Sequence, residues 1–290
     1  GPRAELRVAW TAAEVRRDET LEPGGNARYR QRLWSLGAEV EAPLPLPRGA
    51  GPFGAARGTL GFAVDGAETP QTGGRPPVEP MGAWGAKAAL EAVSRDGRVR
   101  VHAGASRRAR FPSLREMYSG ALGRFVPNPD LAPEVLAAAE AGATVAWGGG
   151  AMQAVLFHHR LTDAIVRTGL GDGRFRRENR NEVRSRGVEL FAGGRLGPTS
   201  VAADLALQHV RLLDPDAPAG ERRPEYQPGI TAGLDLGLPG PLRTAWLSRV
   251  EFVGRQWCVD PEAGGQRAIA PSARWDLALE RAWRVGARTA

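Results

Sequence analysis

The sequence of 290 residues predicts an all-β fold, an antiparallel transmembrane β-barrel with about twelve strands in up-and-down order. Three observations predict it. Apolar and polar residues alternate along most segments, as they do when successive side chains of a strand point to opposite faces. The connections are alternately short and long, as at the two rims of such a barrel. No stretch reaches the roughly 20 apolar residues that a membrane helix needs.

The alternation separates two sets of residues, which we predict to face lipid and lumen. Within residues 242–255, and separately within residues 270–285, most apolar residues share one parity and the charged residues share the other, with Arg281 as the exception. The predicted lipid-facing residues are Trp246, Val250, Phe252, Leu277 and Leu279. The predicted lumen-facing residues are Arg249, Glu251, Asp276, Glu280, Glu140 and Glu189.

The strands follow from this alternation and from the turn residues between them. In order, they are predicted near residues 3–14, 28–42, 56–65, 81–93, 98–110, 132–147, 151–166, 175–194, 199–212, 225–238, 242–254 and 270–285. The segment 135–147 is rich in alanine and would also suit a helix, so its assignment as a strand depends on the motif that precedes it.

The connections place the strands in an up-and-down order. Tight Gly, Pro and Asp turns lie at 94–97, 148–150, 195–198 and 239–241, and long polar loops lie near 66–80, 111–131, 213–224 and 255–269. We therefore expect the long loops at the outer rim and the tight turns at the inner rim. The Pro-rich link 43–55 is longer than this pattern predicts.

The run RFPSLREMYSGALGRFVPNPDLAPE at 110–134 carries the most specific signal. Its first part reads aromatic-x-Pro-x-x-x-Glu-hydrophobic-Tyr, and its second part reads Asn-Pro-x-Leu-x-Pro-Glu. The prolines interrupt ladder pairing and mark strand ends, so a mainly structural role is expected. The motif residues are Arg110, Phe111, Pro112, Glu116, Tyr118, Asn128, Pro129, Asp130, Leu131, Pro133 and Glu134.

This run resembles the signature of TonB-dependent receptors, the plugged barrels of the Gram-negative outer membrane. Further downstream, similar matches cover about residues 105–285, with His159 standing where the family usually has Asn. These matching positions are Asp163, Ile165, Asn179, Gly187 and Glu189. Residues 1–100 carry no family motif.

The resemblance implies a function without covalent chemistry. It implies that residues 1–290 are a barrel portion that lacks the plug domain and final strands of the intact receptor, and that in isolation they form an open sheet. The intact protein would import a bulky, scarce solute such as a ferric siderophore, haem or cobalamin. The expected partners are the TonB complex through the plug, outer-membrane lipid and lipopolysaccharide, and a ligand such as a metal chelate. Loop residues Tyr118, Arg124 and Phe125 are candidates for ligand contact.

Other chemistry has little support in the sequence. We find no nucleophile with a plausible base, so no enzyme activity and no cofactor are predicted. His158 and His159 are adjacent and would point to opposite faces of a strand, and Cys258 is the single cysteine, so no metal site is predicted. The net charge of +7 comes from dispersed arginines rather than a basic tract, which argues against nucleic acid.

Two alternatives share the strand pattern. A passive outer-membrane pore of about twelve strands would need neither plug nor TonB complex. A soluble β-sandwich binding domain would also alternate, although its loops would not be expected to sort into short and long by position.

Overall fold

A computed structural model describes residues 3–21, 25–47, 51–75, 77–120, 123–170, 172–215, 223–259 and 266–281. These residues form fifteen strands, one short α-helix, α1 (Leu114–Tyr118), and one short 3-10 helix at Pro241–Arg243. The strands are β1 (Glu5–Leu21), β2 (Gly25–Pro43), β3 (Phe53–Thr72), β4 (Met81–Ser94), β5 (Val99–Arg110), β6 (Phe125–Val126), β7 (Glu134–Trp147), β8 (Gly150–Gly169), β9 (Phe175–Leu196), β10 (Thr199–Leu213), β11 (Ile230–Pro239), β12 (Thr244–Val253), β13 (Gln256–Val259), β14 (Gln266–Ile269) and β15 (Ser272–Arg281).

Twelve of these strands form one antiparallel meander. Their order is β1-β2-β3-β4-β5-β7-β8-β9-β10-β11-β12-β15, so each pairs with its neighbours in the chain, and β1 and β15 are the edges of an open sheet. The predicted partial barrel of about twelve strands is confirmed. The soluble sandwich is wrong, because the strands form one continuous sheet in place of two packed layers.

The register keeps the apolar residues on one face. Val250 pairs with Trp275 and Trp246 pairs with Leu279, whereas Arg249 pairs with both Asp235 and Asp276. Large apolar side chains on the first face are well exposed, including Trp275 at 66%. In a transmembrane barrel such a band is the lipid-facing side, and we call this the outer face and the opposite one the inner face.

On the outer face, the border between the apolar band and the polar residues nearer the outer rim is tilted relative to the strand pairing. Successive pairs connect Ala38 of β2, through β3 to β9, to Arg211 of β10. On β2 the first polar outer-face residue, Arg32, lies six residues closer to the outer rim than Ala38. On β10 the first polar outer-face residue, His209, lies two residues closer to the inner rim than Arg211. The border thus moves about one residue per strand, which corresponds to a strand tilt of about 40°, as in membrane barrels.

Several predicted boundaries are wrong in detail. β3 continues to Thr72, which shortens the loop predicted near 66–80, and the strand predicted at 225–238 begins only at Ile230. The loop predicted at 255–269 contains the hairpin β13–β14, and the strand predicted to reach 285 is described to Arg281 only. The loop predicted near 111–131 contains the short helix Leu114–Tyr118, which the sequence did not predict.

Candidate functional site

The candidate site is the connection between β5 and β7 at the outer rim, residues 111–133, which we call the rim segment. Helix α1 begins here after Pro112, with Ser113 as N-cap. The Ser113 hydroxyl accepts from the Glu116 amide at 3.3 Å, and the Glu116 carboxylate accepts from the Ser113 amide at 2.8 Å. This capping box satisfies backbone donors that a five-residue helix would otherwise leave open, and it explains the spacing between Ser113 and Glu116.

The rim segment folds onto the inner face of β2. Tyr118 is 1% exposed and stacks on Tyr29, with ring centroids 4.9 Å apart, and Leu114 and Met117 are buried in the same cluster. The Gln31 amide donates to the Pro112 carbonyl at 2.8 Å. The segment therefore reaches back across β3 and β4 over the polar side of the sheet.

An arginine at the end of β5 fixes the base of the rim segment. Arg110 donates to both Glu116 oxygens at 2.8 and 3.0 Å, and its Nε donates to Glu134 at 2.6 Å. The second Glu134 oxygen accepts from the Ile165 amide of β8 at 2.6 Å. Burial of the Glu116 carboxylate raises its pKa, but the hydrogen bonds from Arg110 and Ser113 outweigh burial and lower the pKa to about 2.

Two asparagines fix the far end of the rim segment to β9. The Asn128 amide donates to the Arg177 carbonyl at 2.8 Å, and its oxygen accepts from the Arg176 guanidinium at 3.2 Å. Asn179 exchanges hydrogen bonds with both backbone groups of Ala132 and donates to the Asp163 carbonyl at 2.6 Å. Asp163 has a positive φ of 54°, a conformation that Asp tolerates better than most residues.

The remaining motif residues are explained by packing. Leu131 is buried at 3%, and the turn at Pro129 and Asp130 is closed by the Asp130 amide, which donates to Asn128. A Cβ at Gly187 would lie 2.2 Å from the Leu207 carbonyl oxygen and 2.7 Å from the Phe157 ring. Glycine is needed there because the neighbouring strand and the aromatic ring leave no room. Phe111 is half-buried and Pro133 is half-buried beside the start of β7.

The three candidate ligand-contact residues differ in accessibility. Tyr118 is buried, its hydroxyl has no hydrogen-bond partner among the described residues, and burial raises its pKa. Phe125 is half-buried, with its ring centroid 5.9 Å from that of Phe175, and β6 pairs in parallel with the start of β9. Arg124 is exposed, and its carbonyl accepts from the Phe175 amide at 2.8 Å.

The predicted luminal residues share the inner face. Arg249 lies 2.8 Å from Glu251 and 3.7 Å from Asp235, and Arg274 lies 3.0 Å from Glu251. The register places Glu140 and Glu189 on the same face, opposite Phe157 and Val155 respectively. The inner face is therefore polar and internally paired near β12 and β15.

Sequence reasoning missed Tyr29 and Gln31, which receive the rim segment. Both lie on β2, far from the motif in sequence, where the pairing with β3 shifts between Arg30 and Arg32. Neither residue belongs to a motif, and a single inward Tyr and Gln resemble ordinary luminal residues. No signal in the sequence would have identified them.

The described residues offer no site for a cofactor or metal that we can identify. No group of three or more His, Cys, Asp or Glu side chains within them could hold a metal ion. His158 lies on the outer face and His159 on the inner face, where it packs 4.9 Å from Phe157. In the same part of the chain, no helix is long and apolar enough to cross a membrane.

Comparison with known structures supports the fold. The copper transporter OprC superposes with a TM-score of 0.71 at 16% identity, over 97% of this chain and 47% of that protein. The ferric preacinetobactin receptor BauA from Acinetobacter baumannii superposes with a TM-score of 0.69 at 13% identity, over 95% of this chain and 44% of that protein. The ferric yersiniabactin uptake receptor FyuA from Yersinia pestis superposes with a TM-score of 0.66 at 14% identity, over 95% of this chain and 43% of that protein. The chain spans less than half the length of each.

Comparison by sequence identifies the family. No curated protein matches the chain. The sequence profile described as TonB dependent receptor-like, beta-barrel, matches residues 18–289, which is nearly the whole chain and includes the rim segment. The chain therefore belongs to the TonB-dependent receptor family and forms part of a β-barrel of that family.

Proposed function

We propose that this chain is the barrel portion of a Gram-negative outer-membrane receptor that imports a bulky, scarce solute with energy from the TonB complex. The observation that carries the proposal is the rim segment, which is folded inward over the polar face and attached at both ends. Tyr29 and Gln31 hold one part of it and Asn179 holds the other. A solute entering this side of the lumen would pass beside it.

The proposed substrate class is a metal chelate or similar cofactor, such as a ferric siderophore, haem or cobalamin. Support comes from the similar structures, which are a copper transporter and two ferric siderophore receptors. Within the rim segment, Arg124 is exposed beside the half-buried Phe125. A guanidinium suits an anionic chelate and an aromatic ring suits its planar groups, so we propose these two residues as contacts and Tyr118, which stacks on Tyr29, as a buried anchor of the segment.

The proposed energy coupling requires a plug domain outside these residues. Its contact surface would be the inner face, where Glu140, Glu189, Arg249 and Glu251 present charged groups. Arg249 and Glu251 already have partners within the barrel, so they need not be left unpaired when a polar plug moves away from them.

The test is uptake by the complete reading frame in cells with and without a working TonB complex. Growth would be followed on a panel of iron chelates, haem, cobalamin and copper. Uptake that disappears without the complex supports an active receptor, whereas uptake that persists indicates a passive pore. Arg124→Ala should raise the solute concentration needed for half-maximal uptake by about tenfold. Arg195→Ala, at an exposed arginine near the opposite rim, is the matched control and should change nothing.

A further inference from the structure

A group of arginines converges on the rim segment from separate elements of the fold. Arg17 lies on β1, Arg115 on α1, Arg167 on β8 and Arg177 on β9. Burial lowers the pKa of Arg177, which lies in the part of β9 that extends beyond the apolar band. The charges of the other arginines lower this pKa further, against the opposite effect of Glu116. Charges that act on one pKa in this way lie close together, and we call these arginines the arginine cluster.

The Arg177 guanidinium is held in place but has few hydrogen-bond partners. It lies over the Phe125 ring, 4.8 Å from the centroid, and this cation–π contact fixes its plane. Within the described residues, the side chain donates one hydrogen bond, to the Arg115 carbonyl at the long distance of 3.5 Å. No carboxylate of the described ranges forms an ion pair with Arg177. Several of its N–H donors are therefore available to a partner from outside the barrel.

A second arginine faces Arg177 across the sheet. Arg167 lies directly opposite Arg177 in the pairing of β8 with β9, so the two side chains share a face. Arg167 is balanced by Glu225, whose carboxylate oxygens accept from it at 3.0 and 3.1 Å. Like charges directly opposite one another destabilise a sheet. Because Glu225 is already used by Arg167, an anion bound to Arg177 would relieve the repulsion that remains.

The other members of the arginine cluster add further unmatched donors. Arg17 donates to Glu19 at 3.1 Å through Nη2, but its Nη1 is buried and has no partner within the described part of the chain. A buried donor without an acceptor is unfavourable. Arg115 is exposed on α1, and none of the described carboxylates forms an ion pair with it. The arginine cluster thus has more donors than its own carboxylates accept from.

Other arginines near the same rim do not share this excess. Arg180 donates to Asp214 at 3.0 Å, although it lies on the same strand as Arg177. Arg174, in the turn before β9, donates to Asp172 at 2.7 Å. Each of these guanidiniums has a carboxylate of its own. Excess positive charge at the arginine cluster is therefore not a general property of the rim.

We propose that the arginine cluster selects the solute by charge, and that the solute is an anionic metal chelate built from catecholate or carboxylate groups. Its oxygens would accept from Arg177, which Phe125 holds in plane, and from the neighbouring Arg115. A planar guanidinium binds two adjacent anionic oxygens through parallel hydrogen bonds, and both kinds of group present such a pair. The inference rests on the proposed function and narrows it, because a bare metal cation and a neutral hydroxamate chelate would both be disfavoured.

The test measures binding of iron chelates to the complete receptor, purified in mild detergent, by equilibrium dialysis with radioactive iron. The probes are ferric citrate, a ferric tris-catecholate and a ferric tris-hydroxamate, of which the last is neutral and the tris-catecholate is strongly anionic. We expect at least one anionic chelate to bind about tenfold or more tightly than the neutral chelate, with an advantage that shrinks as salt is added. Equal or tighter binding of the neutral chelate, an advantage that salt does not reduce, or no binding of either anionic chelate would overturn the proposal.

A double variant, Arg177→Gln with Arg115→Gln, tests the location. It should bind the anionic chelate about tenfold more weakly and the neutral chelate within about twofold of the parent. The matched control is Arg174→Gln, at an exposed arginine that already has Asp172 as its partner, and it should keep both affinities within about twofold. Unchanged binding in the double variant, or equal losses for the two chelates, would refute selection by the arginine cluster.

A milder substitution covers the case in which the double variant does not fold, as judged by its gel mobility before and after heating. Arg177→Lys keeps the positive charge but removes the planar pair of donors. It should weaken binding of the anionic chelate about threefold and leave the salt dependence in place. Full affinity in this variant would show that Arg177 does not bind the chelate through its guanidinium.

Uptake in cells separates this inference from the proposed function. Binding to the purified receptor needs no energy source, so charge selection is measured without the TonB complex. Selection that depends on Arg177, together with uptake that persists in cells without that complex, would support the arginine cluster and refute energy-coupled import. Uptake that strictly requires the complex, together with equal binding of anionic and neutral chelates, would do the reverse.

Discussion

Arginine is used in two opposite ways at the outer rim. At the base of the rim segment, the single guanidinium of Arg110 is shared by the carboxylates of Glu116 and Glu134. On the outer face of β8 to β10, the single carboxylate of Glu182 is shared by Arg160 and Arg184, and Arg186 and Arg211 lie beside them. The net charge of +7 therefore says little by itself. Pairing distinguishes arginines that hold the fold from arginines available to a partner.

The largest expected effect concerns the attached rim segment. Tyr118→Ala removes a fully buried ring from its stack on Tyr29 and should lower the free energy of opening the segment by about 3–4 kcal/mol. Hydrogen exchange of the α1 amides in the complete receptor would measure it, with protection falling by about a hundredfold or more.

The matched control is Tyr118→Phe. Because the Tyr118 hydroxyl is buried without a partner among the described residues, its removal should leave protection unchanged or slightly higher. If Tyr118→Phe lost as much protection as Tyr118→Ala, the hydroxyl would have a partner outside the described residues, and attachment by packing alone would be wrong.

A second substitution tests the paired arginine directly. Glu134→Gln removes the charge that faces Arg110 and weakens the acceptor for the Ile165 amide, so the free energy of unfolding should fall by about 2 kcal/mol. Urea titration of the complete receptor in lipid vesicles would measure this change.

Glu5→Gln is the control for the second substitution. It breaks an ion pair with Arg7 in which both side chains are more than half exposed, so it should change the free energy of unfolding far less than Glu134→Gln does. Equal effects of the two substitutions would mean that the base of the rim segment is no more ordered than a surface pair.

A smaller effect is expected from pH. The Glu116 pKa is lowered from its ordinary value of 4.5 to about 2, so its contribution to stability is present above pH 4.5 and is lost as the pH falls towards 2. Because the carboxylate is partly exposed, we expect about 1 kcal/mol. The stability difference between the parent and Glu116→Gln should shrink over this range. A difference that stayed constant down to pH 2 would show that the charge of Glu116 contributes nothing.

Sequence alone predicted the wall of the barrel better than the rim. Alternation fixed the face of residues such as Trp246 and Arg249, because a strand has a strict period of two and one register error would reverse every side chain. The order of the strands followed from their short connections. The Ala-rich β7 was assigned correctly only through the motif before it, since its local composition also suits a helix.

The rim was predicted in residue identity but not in structure. The sequence marked Ser113 to Glu134 as a distinctive run, yet it gave no account of the capping box, because a surface strand end and a short helix are both compatible with Pro112. The contacts with Tyr29 and Gln31 depend on the whole arc of strands between β2 and β5. Such long-range contacts leave no trace in local patterning.

The smallest expected effect is also the one that separates the two uses of arginine most sharply. Arg211 lies directly opposite Arg184, and no described carboxylate pairs with it. At low ionic strength, Arg211→Gln should raise the free energy of unfolding of the complete receptor in lipid vesicles by about 0.3 kcal/mol, because it removes a like-charge pair. At high ionic strength this effect should fall towards zero, because salt screens exposed charges. Arg16→Gln, whose partner Glu14 lies 2.7 Å away, should be weakly destabilising at low ionic strength. Urea titration measures both. Opposite signs for the two substitutions would confirm that pairing separates the two uses of arginine, whereas destabilisation by both would mean that Arg211 has a stabilising partner of its own.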